Sequence, residues 1–201
     1  MPTEPMFPET PRLRFYDPLG HMLGAGNGIY EYTFNDVVKL AGHACPTVAG
    51  AFLVVKMAVE LLYQDVLPQR GDLRVTVHGA LGEGTNGPFS QVLTLLTGAA
   101  GENGFQGLAG NQVRKGLLRF DTAREGASVS YTFERLSNGK SVTLVYDPSG
   151  IAPAPGMGAD MQAVLTGRAD ENVRKNFRDA WRERVLQILL DGGDSTVSRV
   201  E

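Results

Sequence analysis

The chain has 201 residues, 42% apolar and 20% charged, with a formal net charge of −3. That size suits one domain with its own core, and weak acidity without a Lys/Arg cluster argues against a nucleic-acid-binding face. The single cysteine excludes an intrachain disulfide, and the lack of a membrane-length apolar run or a charged-then-apolar leader leads us to expect a cytoplasmic protein with no membrane segment.

Residues 1–33 open with Pro2, Pro5, Pro8, Pro11 and Pro18. This predicts an extended arm, of the kind that wraps a partner protomer. A glycine-rich turn over 19–28 holds His21, and 29–33 predicts a short strand. The main domain is expected over 34–191. It starts with a short helix capped by Asn35, with Val37, Val38, Leu40 and Ala41 on its buried side and Gly42 as its stop. His43 and Cys45 then share a tight turn. Thr47 is placed to cap a long helix over 48–64, apolar on nearly all sides. That surplus of apolar surface, together with the arm, predicts a homodimer.

Residues 72–78 alternate cleanly and predict a strand, with Leu73, Val75 and Val77 on one face and Arg74, Thr76 and His78 on the other. A glycine-rich loop over 79–87 leads to a helix starting at Pro88 and ending near Leu96 or Thr97. A second glycine-rich loop covers 101–110. Strands are expected over 113–121, 128–136 and 141–146, the last two joined by a hairpin at Asn138-Gly139. After a proline-containing loop, 159–167 predicts a short helix. Asp170 caps a longer one with a stripe of Val173, Phe177, Trp181, Val185 and Ile188 or Leu189, and 192–201 reads as a polar tail. The whole predicts an α+β fold, a mostly antiparallel sheet packed with helices in a single domain.

Chemistry concentrates on four residues. The chain has three histidines and one cysteine, His21, His43, His78 and Cys45, and imidazole and thiolate are the donors that zinc takes in a tetrahedral array. His43 and Cys45 lie on one turn before a helix N-terminus, where backbone N–H groups and the helix dipole favour an anion. His78 ends a strand beside a glycine-rich loop, a common place for a ligand or a catalytic side chain. The bland alternatives are an inert thiol and surface imidazoles. Gly82-Glu83-Gly84-Thr85-Asn86-Gly87 matches the dinucleotide fingerprint in letters, but no second parallel strand with an acidic end is expected after it. A milder role remains for that helix start, binding an anion with Glu83 and Asn86 in the same pocket.

Gly42-His43-Ala44-Cys45-Pro46 and the long helix after it resemble the Gly-His-x-Cys-Pro signature of the FmdE-like family, named for a component of formylmethanofuran dehydrogenase. Leu95-Leu96-Thr97-Gly98 and the stretch from Arg114 to Phe120 resemble that family's Leu-Thr-Gly segment and the Gly-Lys strand after it. The likeness spans about residues 34–120. Ala99 stands where the family has a further cysteine, and the family's four-cysteine zinc module has no counterpart. The resemblance implies a metal site at this turn. We therefore expect a zinc (Zn²⁺) or other divalent metal held by His43 and Cys45, completed by His78 or His21, with an open position serving an enzyme of unknown substrate. The alternative is a non-catalytic accessory protein, or a sensor module for a small molecule or for haem, the last because Cys45-Pro46 resembles the dipeptide by which some haem sensors offer a thiolate to iron.

Overall fold

The computed structural model describes Phe7, residues 10–123 and residues 129–200. Strand β1 (Arg12–Tyr16) pairs antiparallel with β2 (Ile29–Thr33), with the short helix α1 (Pro18–Met22) between them. Within the stretch expected to be an arm, residues 12–16 thus form one strand of a two-stranded sheet. Leu13 and Phe15 of β1 face the core, and Phe7 packs edge-on against Phe34 at 5.1 Å. The remaining proline positions at 2, 5 and 8 lie outside the described residues.

Helix α2 (Phe34–Ala41) is capped by Thr33, not Asn35. Asp36 accepts from the Thr33 backbone N–H at 2.9 Å in a capping box. Gly42 ends α2 in the left-handed conformation at φ 74°, which suits glycine at this position. Helix α3 (Pro46–Tyr63) starts two residues before Val48, because Pro46 takes the first helical position and Cys45 the cap. α3 has the length and composition of a membrane span, but 72% of it is buried inside the chain. α2, α4 (Asn86–Thr97) and α6 (Glu171–Leu190) pack around it. This packing buries most of the apolar surface of α3 and leaves Leu61 exposed.

The second sheet runs β4-β3-β5-β6-β7. β3 (Leu73–His78), β5 (Ser130–Arg135), β6 (Ser141–Tyr146) and β7 (Val197–Arg199) are antiparallel neighbours, and β4 (Leu118–Phe120) pairs parallel with β3. α3 and α4 cover the apolar face of this sheet, so the fold is α+β with a single core. β4 is shorter than the 113–121 strand expected. Residues 114–116 instead spend their backbone bonds within the preceding loop, through Ala100 N–H to Arg114 O, Arg114 N–H to Phe105 O and Gly116 N–H to Gly101 O. β3, α4 and β4 therefore form a β-α-β unit with Asp121 just past its second strand, which corrects the expectation that no such strand follows. The polar tail contains β7, whose Val197 is buried beneath the sheet edge. α5 (Met157–Leu165) and α6 complete the chain, with Asp170 accepting from Val173 N–H at 2.8 Å.

The β1–β2 sheet is fastened to the body by one buried carboxylate. Asp17 accepts from the guanidinium groups of Arg70 at 2.7 Å and Arg114 at 2.8 Å, and from the N–H groups of Leu19 and Gly20. Burial pulls the Arg114 guanidinium below the ordinary arginine value, and Asp17 opposes that shift. Gly71 and Gly98 leave room for Arg114, since a Cβ at Gly98 would lie 2.7 Å from its Nη1. Asp17→Ala leaves two guanidinium groups without their shared anion, and is expected to cost about 3–5 kcal/mol in urea unfolding; a loss below about 1 kcal/mol would show the cluster to be incidental.

Candidate functional site

The turn between α2 and α3 is held from two other elements. Trp181 of α6 donates its indole N–H to Ala44 O at 2.8 Å, and Tyr146 of β6 donates its hydroxyl to Pro46 O at 2.6 Å. Tyr146 reaches that carbonyl by lying across α3 at Gly50, where any Cβ would overlap its ring. A glycine inside a helix is costly, and here it is spent on this close approach. Burial raises the Tyr146 hydroxyl well above the usual tyrosine value; Arg184 opposes the shift, and Cys45 and Asp147 add to it. The hydroxyl therefore stays a donor, and the Cys45 thiol lies within its electrostatic reach.

On this fixed turn Cys45 is half-buried, and its side chain makes no capping hydrogen bond. His43 is exposed, and its Nδ1 lies 3.0 Å from Ala41 O. A carbonyl only accepts, so Nδ1 is the donor, and in the neutral ring Nε2 then holds the lone pair. A backbone carbonyl fixing one ring nitrogen while the other stays open is the usual second contact of a metal-binding histidine.

The other two histidines are placed differently. His21 lies on α1, exposed, with Nδ1 2.9 Å from the Tyr16 hydroxyl. His78 has both ring nitrogens occupied, Nδ1 by Asp121 at 3.3 Å and Nε2 by Thr132 Oγ1 at 2.8 Å. Thr132 Oγ1 in turn meets Thr143 Oγ1 at 2.8 Å, which extends the chain of bonds across β5 and β6. His78 can ligate a metal only by giving up one of these bonds. Among the described residues no three His, Cys, Asp or Glu side chains gather into a metal-holding group. His43 and Cys45 are thus two residues apart on one turn, while His78 and His21 lie on β3 and α1.

The glycine-rich loop before α4 closes on itself. Asn86 donates to Ala80 O at 2.8 Å, and Glu83 accepts from Ala80 N–H at 3.2 Å. Asp121, at the position of an acidic strand end, faces His78. The topology of the dinucleotide fingerprint is present, but the groups that would read a ribose are committed within the protein. A cavity of about 1280 Å³ opens nearby, between Leu40 of α2, one face of α4, the loop over 100–103 and β4 with Gly116 before it. Leu40, expected on the buried side of α2, lines this cavity. The sequence reading missed Tyr146 and Trp181 as supports of the turn; Gly50 inside an otherwise apolar helix was the available signal.

No protein-family model, curated protein or solved structure matches the chain.

Gly50→Ala is expected to displace the Tyr146 ring, cost about 1–3 kcal/mol in urea unfolding, and speed alkylation of Cys45 by iodoacetamide. Unchanged stability together with an unchanged alkylation rate would show that the turn does not depend on Tyr146.

Proposed function

We propose that the chain is a metal-binding domain of the FmdE-like kind, in which His43 Nε2 and Cys45 Sγ hold one zinc ion. The observation that carries this reading is the lone pair left open on His43 by the Nδ1–H···O=C bond to Ala41, two residues from an uncapped thiol on a braced turn. The donor set fits zinc, which accepts imidazole and thiolate together. Two donors do not complete a tetrahedral site, so the remaining positions are filled from outside this set, by a second copy of the chain or by water and substrate. A second copy related by a twofold axis would bring the same two donors and close the site as a structural one. Water would leave it open, and the bound metal would then supply Lewis acidity.

Zinc content per chain separates these arrangements. Metal analysis of protein purified without added metal is expected to give about one zinc per two chains for the shared site, or about one per chain for the open site. In both cases His43→Ala and Cys45→Ser each lose most of the metal with the circular dichroism spectrum unchanged. Light scattering decides which arrangement holds, because the shared site requires a dimer that dissociates with chelator. Trace zinc in the wild type, unaltered by either substitution, would refute the proposal.

A further inference from the structure

The lining of the cavity beside α4 includes neither His43 nor Cys45, and it has a chemistry of its own. Its apolar lining comes from four elements: Leu40 of α2, Leu81 of the loop before α4, Leu95 of α4, and Leu118 with Phe120 of β4. Leu40 and Leu81 are 41% and 55% exposed, a large apolar area for two residues of a concave wall. α4 adds Ser90, Gln91 and Thr94, which with Leu95 form one helical face.

The cavity is built rather than loose. Its outer wall is stitched by Gly104 N–H to Gly101 O, Gly116 N–H to Gly101 O and Leu118 N–H to Ala100 O. A Cβ at Gly104 would lie 2.7 Å from Ala100 Cβ, so the wall requires glycine there.

Two charged side chains line the cavity, and their states differ. Glu102 pairs with Lys115 at 3.2 Å. Arg119 has its Nε–H committed to Gly116 O at 2.9 Å, which orients the guanidinium, and it has no carboxylate partner among the described residues. Its Nη groups are left as donors in the fork geometry that fits a carboxylate or a phosphate. Preformed, mainly apolar concavities with a few fixed polar groups are where small molecules bind.

We propose that this cavity binds an amphipathic organic anion, an apolar body against Leu40, Leu81, Leu95 and Phe120 with its carboxylate or phosphate head on Arg119. The site needs no metal, so its test stands apart from that of the zinc turn.

Isothermal titration of the chelator-treated chain with decanoate, decyl phosphate, decanamide and adenosine monophosphate tests it. Saturable one-to-one binding of one or both alkyl anions is expected, tighter than decanamide and weakened by added salt; the tighter of the two identifies the head group. Arg119→Gln should weaken the anion by about tenfold and leave decanamide within about threefold. Gln91→Trp, a change at an exposed position of the lining, should abolish binding of both, with thermal melts confirming that each variant is folded. No saturable binding of either alkyl anion below about 1 mM, equal affinity in all three proteins, or tighter binding of adenosine monophosphate than of the alkyl anions would overturn the proposal.

Discussion

The Tyr146 ring lies on the bare backbone of Gly50, and this one contact joins the three parts of the molecule that matter most. It sets β6 against α3, so the sheet and the central helix share a core. It carries the Tyr146 hydroxyl over the first turn of α3 to Pro46 O, which fixes the start of the helix beneath Cys45. It also places Tyr146 within 6.3 Å of Phe89, whose ring stacks on Tyr131 at 4.1 Å, so α4 enters the same aromatic layer. Close-packed interiors transmit such constraints. A methyl group at residue 50 would be felt at the turn, at the sheet and at α4 together.

The same logic explains the other half of the structure. The β1–β2 sheet has little core of its own, and a two-stranded sheet is marginal when isolated. Asp17 compensates by drawing Arg70 and Arg114 into one buried cluster. Arg70 also donates to the carbonyls of Leu95 and Leu96 at the end of α4. Those bonds satisfy helix-terminal groups that would otherwise lack partners. One carboxylate therefore anchors the N-terminal sheet, the end of α4 and the loop that carries Arg114.

Much of this was legible in the residues. Alternation at 73–78 gave β3 with its buried and half-buried faces in the right order. Asn138-Gly139 marked the β5–β6 hairpin, and Gly42 the end of α2, because each supplies a left-handed residue where the turn needs one. Other features were hidden for physical reasons. β4 is a three-residue parallel strand preceded by residues 114–116 that bond within a loop, so its period is too short to read. β7 is an edge strand recruited by β6 from a segment with no apolar run. The Asp17 cluster joins residues 53 and 97 positions apart, which no local pattern encodes. At the candidate site, residue type singled out His43 and Cys45, and only the hydrogen bonds of each ring separated His43 from His78.

The central claim is that the braced turn after α2 is a metal site built on His43 and Cys45. Crystals grown with equimolar zinc and measured on both sides of the zinc absorption edge test it directly. The account predicts one anomalous peak at the turn, within coordination distance of His43 Nε2 and Cys45 Sγ, about 2.0–2.3 Å from each. A peak at His78 or His21 with none at the turn, or no peak at any histidine, would contradict it.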